Sequence, residues 1–92
     1  MAKGKSIITV VGKDQVGIIA RVTTYLYRAN VNVEDITQSI VQGYFNMMMI
    51  VDTSQSGKEF VVLSKELEEL GEEIGVIIKL QREDIFVSMQ RI

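Results

Sequence analysis

Asp14 lies between two glycines, Gly12 and Gly17, where an apolar run of strand character gives way to one of helical character. Glycine permits a tight backbone turn, and an aspartate just before a helix can accept hydrogen bonds from its first amides. A helix that starts on such a turn leaves amides unpaired and directs the positive end of its dipole outward. The stretch Gly12-Lys13-Asp14-Gln15-Val16-Gly17-Ile18 is therefore able to hold a small anion such as the carboxylate of an amino acid. Read alone, it is more simply an ordinary strand-to-helix connection that holds nothing.

Other chemistry is removed by what the chain lacks. It has no Cys, which excludes disulfides, thiolate metal sites and a Cys nucleophile. It has no His, which removes the most versatile general base, the usual zinc ligand and the ordinary catalytic triads. Glu34 and Asp35 are adjacent acids, but neighbours on a strand point to opposite faces, so solvation accounts for them better than a cation does. No catalytic residue, metal site or cofactor is expected, and the chain reads as a non-enzyme. The formal net charge is -2, with glutamates crowded between Glu59 and Glu73, so a nucleic-acid partner is disfavoured. No window approaches a membrane span, and Met1-Ala2-Lys3-Gly4-Lys5 runs into a strand without an apolar signal region. The expected location is cytoplasmic.

The elements that position the turn follow from periodicity. Ser6 to Val11 is rich in β-branched residues, with Ile8 and Val10 on one face and Ile7, Thr9 and Val11 on the other, so it reads as a central strand. Ile18, Val22, Leu26 and Ala29 form one helical stripe ending near Arg28, and Asn30 is suited to a left-handed cap. Val33 to Gln42 and Tyr44 to Val51 read as a hairpin around Gly43, with a bulge expected at Glu34-Asp35. Which side of that hairpin meets the helices stays open. Ser56-Gly57-Lys58-Glu59 has the spacing of a capping box before a second helix, whose stripe is Phe60, Leu63, Leu67, Leu70 and Ile74. Gly71 weakens that helix and Gly75 ends it. Val76 to Gln81 alternates as a last strand, and Glu83 to Ile92 has the spacing of a short amphipathic helix.

At 92 residues this is one domain, with a core over 6–81 and a helical tail over 83–92. So small a core gains from burying surface against a second copy. The element order predicts an α+β, ferredoxin-like βαββαβ fold: a four-stranded antiparallel sheet with two helices on one face, plus the short C-terminal helix. That fold serves many functions and proves none. Soft-metal carriers of this topology need paired thiols, which are absent. A phosphatase of the acylphosphatase kind needs an Arg in the first loop, where this chain has only Lys13. An RNA-binding module stacks bases on sheet aromatics; Gly43-Tyr44-Phe45 is a faint echo, but the first strand offers Ile7, Thr9 and Val11 instead.

More specifically, Ile7-Ile8-Thr9-Val10-Val11-Gly12-Lys13-Asp14-Gln15-Val16-Gly17-Ile18-Ile19, followed by Asn30-Val31-Asn32-Val33, resembles the ACT domain family. These are small-molecule regulatory modules of amino-acid metabolism. The short chain, with Gln38, Tyr44-Phe45 and Met47-Met48, is similar to the small stand-alone bacterial and archaeal members, related in domain to the glycine cleavage system transcriptional repressor. The resemblance implies a homodimer in which two sheets join side by side, with an amino-acid effector at the interface and an unidentified protein partner downstream. It implies ligand contacts from Asp14, Gln15, Val16, Gly17 and Ile18 of one copy and from Asn32 and Val33 of the other. Two departures stand out: Gln15-Val16 occupies the place of an Arg-Pro pair in many effector-binding members, and Asp14 that of an Asn in some. An acid at Asp14 repels a carboxylate, so it serves as a helix cap or as the partner of an ammonium group. The competing expectation is a structural or adaptor dimer with a vestigial pocket.

Overall fold

The alternation of β-branched residues and the two helical stripes produce the expected order of elements in the computed structural model, which describes residues 4–83. These are β1 (Lys5–Lys13), α1 (Ile18–Arg28), β2 (Asn32–Val41), β3 (Tyr44–Asp52), α2 (Phe60–Ile74) and β4 (Val76–Arg82). The strands form one antiparallel sheet in the order β2-β3-β1-β4, with both helices on one face: the ferredoxin-like arrangement. The helix expected over 83–92 lies, but for its first residue, outside the described residues.

Strand β1 is central because both its faces are apolar and both its edges are paired. On the helix side, one cross-strand row runs Ile36, Met49, Ile8 and Leu80, and the next runs Gln38, Met47, Val10 and Ile78. The hairpin side left open by the sequence is thereby decided: Phe45, Met47, Met49 and Val51 face the helices and are buried. Ile18, Val22, Leu26 and Ala29 of the α1 region and Leu63 and Leu67 of α2 close over them. Each such side chain, fully buried, contributes on the order of 1.5–3 kcal/mol of transfer free energy. Strand β2 contributes nothing to this core. All ten of its residues are exposed, including Ile36 (43%) and Ile40 (59%), although both point to the helix side.

The connections follow from a few backbone positions. Asn30 takes the left-handed conformation after α1, and Gly75 does so after α2, where its N–H donates to the Gly71 carbonyl. Gln42 and Gly43 both have positive φ, the signature of a two-residue type I′ hairpin turn between β2 and β3. The expected bulge is present, between Val33 and Asp35.

Several local expectations are corrected. Gly12 does not make the turn; it lies within β1, and a Cβ there would stand 2.6 Å from the Val76 side chain, so glycine is required by close approach. Asp14 does not cap α1, because Gly17 (φ 94) takes the N-cap position with no side-chain hydrogen bond. Ser56 does not cap α2 either: its hydroxyl accepts from the Lys58 N–H within the preceding turn, and Glu59 is the N-cap, with no side-chain bond. Gly71 does not weaken α2 so much as let it approach β4, since a Cβ there would lie 2.7 Å from the Val76 carbonyl oxygen.

Candidate functional site

The left-handed Gly17 holds the chain between β1 and α1 in an open loop. Among the described residues, the N–H groups of Val16, Gly17 and Ile18 have no hydrogen-bond partner. They stand at the start of α1, where the helix dipole is positive. The Asp14 N–H donates to the Gly43 carbonyl at 2.9 Å, which ties this loop to the hairpin tip. Gln15 is tied elsewhere: its side-chain Nε2 donates to the Ile74 carbonyl at 3.0 Å, fastening the loop to the last turn of α2. The Asp14 carboxylate makes no ion pair or hydrogen bond among the described residues.

The loop borders a hollow of about 480 Å³ between the start of α1 and the uncovered helix side of β2. This size lies within the roughly 300–1,000 Å³ of small-molecule sites. Asp14 and Gln15 stand at the loop, Ile18, Ile19 and Phe45 supply apolar wall, and Gln38 and Ile40 close the β2 side. The hollow exists because β2 overhangs the helix layer, leaving Gln38 and Ile40 with nothing above them among the described residues. Among the described residues, no group of three or more His, Cys, Asp or Glu is placed to hold a metal. No helix there is long and apolar enough to cross a membrane.

Of the seven residues singled out from the sequence, Asp14, Gln15, Gly17 and Ile18 line the hollow. Val16 is fully exposed beside it. Asn32 and Val33 are not brought to it within one chain: they pair with Asp52 and Val51 at the other end of β2. The eight-residue step from Asn32 to Ile40 spans roughly 26 Å along a strand. Sequence reasoning missed Gln38, Ile40 and Phe45 as lining residues. The available signal was Gln38 itself, an amide between two isoleucines on what reads as an apolar strand face.

The sequence model of the ACT domain matches residues 6–81 of the chain. The chain belongs to the ACT domain family. Among its relatives is a UPF0237 protein of Bifidobacterium longum, 61% identical over 88 residues, covering 96% of this chain and 98% of that protein. Among solved structures, the ACT domain protein from Streptococcus pneumoniae superposes with a TM-score of 0.79 at 40% identity, covering 89% of this chain and 92% of that one. A putative glycine cleavage system transcriptional repressor superposes with a TM-score of 0.74 at 25% identity, covering 84% of this chain and 44% of that one. ACT domains are typically regulatory and ligand-binding, and they commonly dimerise. The hollow of this ACT domain lies at its first loop, against the free strand edge.

Proposed function

We propose that the protein is a non-catalytic regulatory module that binds a free amino acid at a homodimer interface and changes its contacts with a protein partner when it does. The observation that carries this reading is the company kept by the hollow: unpaired amides at Val16 to Ile18 and an unpaired carboxylate at Asp14, beside an apolar wall. Amides at a helix start suit the ligand carboxylate, and Asp14, released from capping, suits its ammonium group. Ile19, Ile40 and Phe45 suit an apolar portion of the side chain. Regulation then rests on different affinities in two states.

A second copy paired antiparallel along the free β2 edge carries the partner's Asn32 and Val33 back toward this hollow, because the two strands run in opposite senses. That supports their role as contacts supplied across the interface, with the Asn32 amide able to donate or accept. Gln15 acts here as a fastening of the loop through Ile74.

A thermal-shift screen of the common amino acids tests the reading. A specific ligand at a hundred times its Kd stabilises by about 2.7 kcal/mol, a shift easily read in so small a domain. A screen in which no amino acid raises the melting temperature leaves the structural or adaptor dimer as the better account. Asn32→Ala weakens binding of the identified ligand; unchanged binding removes Asn32 from the site.

A further inference from the structure

The free edge of β2 has a readable polarity. Val41 and Tyr44 flank the two-residue turn, and in such a hairpin the flanking pair exchanges both main-chain hydrogen bonds. Alternate residues Ser39 and Thr37 therefore also bond inward, to β3, while Ile40, Gln38 and Ile36 direct their main-chain groups outward. The Ile36 N–H agrees with this phase: it donates to its neighbour's carboxylate, Asp35 Oδ1, at 2.8 Å. The three outward residues all place their side chains on the helix side, in the rows of Met49, Met47 and Phe45. Two of them, Gln38 and Ile40, line the hollow, and the Gln38 amide has no hydrogen-bond partner among the described residues.

We propose that a second copy pairs along β2 with the two-fold axis passing through Gln38, so that the two hollows merge into one trough with a pair of Gln38 amides at its centre. This rests on the dimeric reading above and adds the register and a recognition residue. Of the symmetric antiparallel pairings, those centred on Thr37, Gln38 or Ser39 engage most of the outward residues Ile36, Gln38 and Ile40. Centred on Gln38, it sets Ile36 opposite the partner's Ile40, Gln38 opposite the partner's Gln38, and Thr37 opposite the partner's Ser39. Apolar meets apolar, amide meets amide and hydroxyl meets hydroxyl, the pairings that stabilise neighbouring strands. Centred on Thr37, Ile36 meets the partner's Gln38 and Ile40 meets the partner's Glu34. Centred on Ser39, Gln38 meets the partner's Ile40 and Ile36 is carried to the partner's turn at Gln42. Only the first choice matches all three outward residues, Ile36, Gln38 and Ile40; on the open face it sets Asp35 opposite the partner's Val41.

The site is incomplete without the second copy. Facing residues of a hydrogen-bonded antiparallel pair stand about 5.5 Å apart at Cα. The partner's Gln38 and Ile36 therefore form the missing wall of each hollow. An amide carries two donors and two acceptor lone pairs, so each Gln38 can bond its twin and still offer a donor or acceptor to a bound zwitterion.

The absence of cysteine makes the register measurable. Thr37→Cys, Gln38→Cys and Ser39→Cys are oxidised separately with copper phenanthroline and resolved by non-reducing electrophoresis. Since about 4.4–6.8 Å at Cα permits a disulfide, Gln38→Cys should cross-link at least about tenfold faster than either neighbour. Preference for position 37 or 39, equal rates at all three, or no cross-linking overturns the proposal. Gln38→Glu supplies an independent readout: two carboxylates across the axis should weaken dimerisation on the order of tenfold or more in sedimentation at pH 7. An unchanged dimer overturns it too. A wild-type protein that binds an amino acid yet cross-links at position 37 keeps the regulatory reading and loses only this register.

Discussion

Asp14 reads from the sequence as a helix cap, and the structure does not give it that job. Its carboxylate caps no helix and pairs with no cation among the described residues, so its removal costs the fold little. Asp14→Ala should leave the unfolding free energy in urea within about 0.5 kcal/mol of wild type while weakening binding of the ligand found by the screen at least about tenfold. Isothermal titration and equilibrium unfolding check the two halves. Tyr25 and Glu66 form a contrasting pair whose work is structural. The Tyr25 hydroxyl donates to Glu66 at 2.6 Å, and Lys58 donates to the same carboxylate oxygen at 2.7 Å. Lys58 first, and then Tyr25, hold the Glu66 carboxyl below its usual range, while burial and then Glu66 push the Tyr25 phenol up. With its folded value depressed, Glu66 contributes stability that is present above the unfolded value of about 4.3 and is lost as pH falls through the folded one. The loss of stability between pH 7 and pH 3, followed by urea unfolding, should be smaller in Glu66→Gln than in wild type. Asp14 could be placed beside the hollow from the sequence because the strand-to-helix connection that carries it is a local feature, whereas Asn32 lies at the other end of β2 within one chain. Gln38 stands out locally only as an amide between two isoleucines; that it lines a hollow depends on how far β2 reaches beyond the helices, which no local pattern encodes.

The elements are held in register by close approaches rather than by caps. Gly71 is the clearest case. Alanine is favoured over glycine by about 1 kcal/mol inside a helix, yet the Cβ at this position would meet the Val76 carbonyl. Gly71→Ala should therefore destabilise the protein, by about 1–3 kcal/mol, in thermal unfolding followed by circular dichroism. The hairpin turn offers the opposite sign. Gln42 holds a positive φ (53°) that asparagine tolerates better, so Gln42→Asn should stabilise by about 0.5 kcal/mol in the same assay. Strand and helix identities were readable because periods of two and of three to four residues survive in Ser6 to Val11 and in Phe60 to Ile74. The helix starts were misread for a physical reason. Asp14 and Ser56 have the right side chains, but the chain reaches α1 through a left-handed glycine and α2 through an extended Glu59, so neither side chain meets the first turn.

On the scale of the whole molecule, the asymmetry between the two edge strands matters most. Strand β4 is packed beneath α2 and contributes Val76, Ile78 and Leu80 to the core, whereas β2 contributes none. The edge bearing the exposed Ile36, Ile40 and Val41 is, on the proposed reading, where a second copy pairs. Ile40→Lys should shift sedimentation from dimer to monomer and lower ligand affinity together, with the monomer's circular dichroism unchanged, since Ile40 takes no part in the core. The ferredoxin-like topology was legible from element order alone, but the position of a hollow against a free edge belongs to the assembled sheet. The hydrogen bond from the Asp14 N–H to the Gly43 carbonyl joins the loop that borders that hollow to the tip of the β2–β3 hairpin. It turns one backbone proton into an inbuilt gauge: the rate at which it trades with heavy water, with and without an added amino acid, reports whether loop and hairpin part or stay latched.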